Sequence, residues 1–135
     1  MPANVFFDTT IVVYAVGKND PRTLIAKSLL SDGGTISIQV LNEFTAVARR
    51  KLGMNWDQIE EALVAIRVLC EEPVAITLSI HETALQIAKR YGFHIYDSLI
   101  VAAALNAGCT TLYSEDMQHG QLIDSLTIQN PFLTQ

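Results

Sequence analysis

Apolar residues along this chain fall into long stretches of helical spacing separated by short runs that lack polar alternation. Asn55-Trp56-Asp57-Gln58 has the form of a capping box, and Ile59, Ala62, Leu63, Ile66, Leu69 and Cys70 follow at helical spacing until Pro73. Ser79-Ile80-His81-Glu82 reads as a second capping box, with Ile80, Ala84, Ile87, Ala88 and Tyr91 on one face and Gly92 as the stop. Asp20-Pro21 supplies an N-cap followed by proline at the first helical position, and Asp32-Gly33-Gly34 closes that segment. From Tyr96 to Asn106 the residues are apolar nearly all round, which places that helix in the interior. Short strand candidates lie at Val5–Phe7, Thr35–Ser37, Val74–Thr77, Thr111–Tyr113 and Leu126–Ile128. They suit a mostly parallel sheet of four to five strands with helices on both faces, so the expected class is α/β. The tail after Pro131 is expected to be a short surface extension.

The chain has 135 residues, half of them hydrophobic and 17% charged. That is enough to bury one core, and no repeat or linker divides it, so a single domain over 1–135 is expected. Mean hydropathy is +0.27, yet the longest apolar run, Leu99 to Leu105, is far too short to span a membrane. Met1-Pro2-Ala3-Asn4 carries no basic segment, so no export signal is read and a cytoplasmic location is expected. Cys70 and Cys109 form no CxxC pair, which leaves them as buried free thiols. A net charge of −5 speaks against gripping nucleic acid by bulk electrostatics, but not against meeting phosphate through bound metal.

In a parallel α/β sheet, ligands bind beyond the carboxyl ends of the strands. Asp8 directly follows the Val5–Phe7 strand, and Asp116 comes three residues after Tyr113. Glu43 lies beside Val40, Phe44 and Val47 at the edge of an apolar helical face, and Asp97 opens the most buried helix. Singly, Asp8 and Asp97 could be helix caps or first-turn acids, and Asp116 a solvated loop residue. Together they are four carboxylates at strand ends and helix edges. Two such charges about 5 Å apart repel by roughly 3 kcal/mol at an effective dielectric near 20, so converging acids share protons or hold a cation. All-oxygen ligation suits Mg²⁺ or Mn²⁺. Such an ion fits phosphodiester hydrolysis, because it activates water and neutralises the leaving oxygen.

Phe6-Phe7-Asp8-Thr9-Thr10-Ile11-Val12-Val13-Tyr14-Ala15 resembles the "hDTNhhhYA" opening of PIN-domain proteins, where h is apolar. Ile38-Gln39-Val40-Leu41-Asn42-Glu43-Phe44, Tyr96-Asp97-Ser98-Leu99-Ile100-Val101-Ala102-Ala103-Ala104 and Leu112-Tyr113-Ser114-Glu115-Asp116-Met117 follow in the family's order. The likeness covers nearly the whole chain and is nearest to the VapC-type toxins of prokaryotic toxin and antitoxin pairs. It implies a PIN-like three-layer fold and a divalent-metal site of Asp8, Glu43, Asp97 and Asp116, with Thr9, Thr10 and Ser114 in support. It further implies an endoribonuclease that leaves a 5′-phosphate and a 3′-hydroxyl, forms a homodimer and is silenced by a small antitoxin protein. Thr10 stands where the family usually has Asn. Glu115, beside Asp116, reads as either an outer-shell acid or an exposed neighbour, with the exposed reading favoured.

Arg49-Arg50-Lys51 is the densest positive cluster; it either contacts RNA or complements a helix C-terminus. Tyr14 and Trp56 read as packing residues. His94 and His119 lie near the site in sequence without metal-ligand spacing, so both are left out of the ligand set, with His119 a candidate for touching substrate. A receiver-type phospho-acceptor would want paired acids and a late lysine, and an aspartyl phosphatase a second Asp where Thr10 stands. A DNA nuclease of this chemistry would want gripping insertions that 135 residues do not hold. The alternative that survives is a catalytically weak or inactive PIN-like module that binds a partner protein.

Overall fold

Strand β1 (Val5–Phe7) passes straight into helix α1 (Thr9–Val16) because Asp8 ends one and starts the other. Its backbone is extended, and its side chain accepts a 2.7 Å hydrogen bond from Thr9 N. The computed structural model describes residues 4–133. Beyond α1 come α2 (Arg22–Ser31), α3 (Ile38–Arg50), α4 (Trp56–Leu69), α5 (Leu78–Tyr91) and α6 (Ile95–Asn106). Strands β2 (Thr111–Tyr113), β3 (Leu122–Ile123) and β4 (Leu126–Gln129) close the chain. The sheet order is β1-β2-β4-β3, with β1, β2 and β4 mutually parallel and β3 antiparallel to β4. With helices on both faces, the architecture is the expected three-layer α/β.

Local signals explain most boundaries. Asn55 and Gln58 make the reciprocal capping box at the start of α4, at 2.8 and 2.9 Å. Helix α2 has Pro21 itself at the N-cap, one position later than its pattern placed it, and Asp20 Oδ1 supports that start by accepting from Arg22 N at 2.9 Å. Gly92 ends α5 in the left-handed region, at φ +76, as a stop residue should. Helix α6 is the interior helix, with every residue from Ser98 to Ala104 buried.

Four expectations need correction. Helix α5 is capped by Thr77, whose hydroxyl accepts from Ile80 N at 3.1 Å, so the box at Ser79 does not form; an earlier hydroxyl already serves the free amides. Thr35–Ser37 and Val74–Thr77 are not strands but single parallel bridges, Phe6 to Thr35 and Ser37 to Val74. Ser37 leaves the sheet because its side chain caps α3, accepting from Val40 N. The short β3 had too little apolar pattern to be read. The tail is not merely superficial: Phe132 packs on the core and meets the Tyr14 ring edge-on at 5.1 Å. Residues 134 and 135, the end of that tail, lie outside the described residues.

Register decides where the chemistry sits. Phe7 lies opposite Tyr113, so β1 and β2 end level, and Asp8 N donates to Tyr113 O at 3.0 Å. Asp8 and the Ser114–Asp116 turn therefore leave the sheet side by side. The Phe6, Phe7, Leu112 and Ile128 side chains are fully buried beneath them. Helix α3 turns the buried Val40 and Phe44 inward, which carries Glu43 to the margin of the core.

Candidate active site

Asp8 is only 3% exposed and accepts two hydrogen bonds, from Thr9 N at 2.7 Å and from Ser114 Oγ at 2.6 Å. Ser114 Oγ also accepts from Met117 N at 3.2 Å, so one hydroxyl holds both the acid and the turn that carries Asp116. Thr9 joins the next acid to this group: its hydroxyl donates to Glu43 Oε1 at 2.7 Å. Gln39, one turn earlier on α3, donates to Glu43 Oε2 at 2.9 Å. Asp97 lies in the first turn of α6, where His94 is the cap and accepts from Tyr96 N at 3.2 Å. Asp97 is thus a first-turn acid, and Asp8 is a helix cap; neither role prevents the carboxylate from facing the same space.

That space is an open cavity of about 720 Å³ lined by Asp8, Thr9, Thr10, Glu43, Asp97 and Asp116, together with Tyr14 and Glu115. All four acids named from the sequence therefore line one cavity. Burial holds the Asp8 carboxyl well above its ordinary range, at about 7, and the charges of Asp97 and Glu43 add to the rise against the hydrogen bonds from Ser114 and Thr9. The Asp97 carboxyl is also raised, first by burial and then by Glu43 and Asp116. These carboxylates sense one another, so a cation among them would relieve burial and repulsion together. Among the described residues no three acidic, histidine or cysteine side chains close tightly around one point. The donor set fits a hard ion even so, because Mg²⁺ is commonly held by one or two carboxylates and completed by water.

Among the described residues Thr10 serves no carboxylate. Its hydroxyl accepts from Glu115 N at 3.2 Å and so ties α1 to the Ser114–Asp116 turn. The reading of Glu115 as an exposed neighbour is corrected. It is half-buried, accepts from the Tyr14 hydroxyl and is bridged at 2.9 Å by Arg22, whose guanidinium lies 4.4 Å over the Tyr14 ring. This pairing draws Glu115 out of solvent, and burial followed by Glu115 pushes the Tyr14 hydroxyl up to about 12. Sequence reading missed Gln39, although its position four residues before Glu43 was a usable signal. The Arg22 contact spans 93 positions and had none. His119 is not part of the cavity wall; its Nδ1 accepts from Asn130 N at 3.0 Å and holds the tail. Trp56 is exposed beneath Arg49.

The PIN domain family matches residues 5–122. The chain belongs to the PIN domain family. Two solved structures are similar to this PIN domain. VapC20 of Mycobacterium tuberculosis, described as a sarcin-ricin loop cleaving toxin, aligns at a TM-score of 0.66 with 23% identity, over 83% of this chain and 89% of that one. VapBC2 of Rickettsia felis, bound to a DNA fragment from its promoter, aligns at 0.66 with 21% identity, over 93% and 97%. No curated protein matches the sequence.

Proposed function

We propose that this PIN domain is a divalent-metal-dependent endoribonuclease and the toxin of a toxin–antitoxin pair. The observation that carries the reading is that Asp8, Glu43, Asp97 and Asp116 line one open cavity, with Asp8 buried and raised. These four would hold Mg²⁺ or Mn²⁺, which when bound lowers the pKa of water and offsets charge on the leaving oxygen. The chain's own residues supply the placement. Ser114 and Thr9 fix Asp8, and Thr9 and Gln39 fix Glu43, so two acids are aimed before any ligand arrives. Thr10 and Met117 hold the turn on which Asp116 rides. In hydrolysis, the water oxygen bonds to phosphorus, the bond to O3′ breaks and a proton ends on O3′. The products are a 5′-phosphate and a 3′-hydroxyl.

The similar folds of VapC20, described as cleaving the sarcin-ricin loop, and of VapBC2 support RNA as substrate and a small antitoxin as partner. A homodimer, a single domain over 1–135 and a cytoplasmic setting belong to the same proposal; no helix among the described residues is long and apolar enough to cross a membrane. The test is gel cleavage of an unstructured RNA and a sarcin-ricin hairpin with Mn²⁺, Mg²⁺ or chelator, beside Asp97→Asn purified identically. Metal-dependent cleavage that the substitution abolishes, with 5′-phosphate ends, is expected. Equal cleavage by both proteins rejects the site.

A second reading, a catalytically weak or inactive module for a partner protein, draws on the acids not closing on one point among the described residues. A folded protein that neither cleaves RNA nor gains thermal stability from Mn²⁺ would favour it.

A further inference from the structure

The cavity is two-faced in charge. Five carboxylates line it, and among the described residues the only cations on its wall are Arg50 and Lys51. Both stand at the end of α3, whose Gln39, Glu43, Ala46 and Val47 also line it, so one helix face forms part of the groove wall. Arg50 lies seven positions after Glu43, about 10 Å along the helix axis. That spacing suits a phosphate other than the one held at the acids.

The cluster Arg49-Arg50-Lys51 divides in the fold. Arg49 is committed elsewhere: it donates to Met54 O at 3.2 Å and lies 4.6 Å over the Trp56 ring. Arg50 and Lys51 are exposed, and among the described residues neither has an ion pair or a side-chain hydrogen bond. A helix C-terminus accounts for favourable cations anywhere around its last turn, but not for two unpaired ones turned into an acid-lined groove. In a chain of net charge −5, they are the part of this groove that attracts a polyanion rather than repelling it.

We infer that Arg50 and Lys51 form a phosphate-binding subsite that holds the RNA backbone one or more nucleotides away from the bond cut at the acids. This rests on the nuclease reading for the acid end, and it assigns the substrate path as running along α3. Phosphate contacts of this kind position the strand and carry no base preference.

The test measures binding of a fluorescent single-stranded RNA to the Asp97→Asn protein across a salt series at fixed Mg²⁺. Arg50→Gln and Lys51→Gln are each expected to lower the slope of log affinity against log salt by about 0.7, and the pair by twice that. Arg49→Gln should leave the slope unchanged. In the otherwise wild-type enzyme, the two substitutions should raise KM and spare kcat. Unchanged slopes, no RNA binding by the Asp97→Asn protein, or a loss confined to kcat would overturn the subsite. Selective loss of binding to an acidic peptide would overturn it too, by pointing to a protein partner. Cleavage by wild type with unchanged slopes sinks the subsite alone, whereas the expected slopes without any metal-dependent cleavage uphold phosphate binding at Arg50 and Lys51 and sink the nuclease.

Discussion

At the floor of the cavity Asp8 and Glu43 accept hydrogen bonds from Thr9, Ser114 and Gln39, whereas at its mouth Asp116, Arg50 and Lys51 are exposed and, among the described residues, unrestrained by any side-chain bond or ion pair. The difference follows from position. Floor residues lie where β1, β2, α1 and α3 converge, so a polar group there must find a partner or lose stability. Residues at the mouth are solvated and owe nothing to packing. A floor of this kind is aimed in advance, and a mouth of this kind adapts to what enters.

The sharpest way to break this contrast is to remove charge at each level. Asp8→Asn and Asp97→Asn are expected to cost more RNA cleavage than any substitution outside the four acids, because each takes away a would-be ligand; gel cleavage with Mn²⁺ reads this. Ser114→Ala leaves all four acids but frees Asp8, and should lower cleavage by about 10–100-fold, the usual cost of losing a partner that orients a ligand. If Ser114→Ala is silent, the floor is not held as described.

Stability against pH sharpens the contrast from another side. The Asp8 carboxyl is raised from 3.8 to about 7 in the folded chain, so the folded state keeps its proton where the unfolded chain has lost it. In chelator, its stability contribution is complete below the unfolded value and is lost as pH rises toward the folded one. Thermal melts of wild type should therefore fall between about pH 4 and pH 7 relative to Asp8→Asn, which has no such proton to lose. Mn²⁺ should restore wild type near neutral pH, by about 2.7 kcal/mol at a hundredfold excess over its dissociation constant, and leave Asp8→Asn little changed. Parallel melts in chelator would mean that Asp8 is solvated.

The smallest effect is expected at the link between the two levels. Arg22→Ala removes the bridge to Glu115 but leaves the Tyr14 and Thr10 contacts, and half-exposed ion pairs are individually weak. Cleavage should drop only a few-fold. A collapse comparable with Ser114→Ala would move Glu115 from the wall of the site to its floor.

Much of this was legible in the chain itself. The Asn55 box, the Gly92 stop and the interior helix α6 depend on neighbours within a few positions, and each stands where the pattern put it. The Thr77 cap was missed because two hydroxyls compete within three residues, and only the path of the backbone selects one. The Thr35–Ser37 and Val74–Thr77 segments have strand composition, but Ser37 is drawn into capping α3 and the pairing stops at single bridges.

The candidate site divides along the same line. Its four acids were readable because a carboxylate beside a strand end or an apolar helix face is costly and therefore conspicuous. What those acids touch was not readable, since Ser114 meets Asp8 across 106 positions and Thr9 meets Glu43 across 34. Nor could the sequence separate Arg49 from Arg50 and Lys51, which are adjacent in the chain and part only when α3 lays one face along the cavity. The order of apolar and polar residues determined the elements and the kinds of group available, because those are set by local conformational preference and solvation. Tertiary packing alone decided partners, burial and the raised carboxyl of Asp8, because hydrogen bonds, desolvation and charge repulsion act over distances in space that chain separation does not encode.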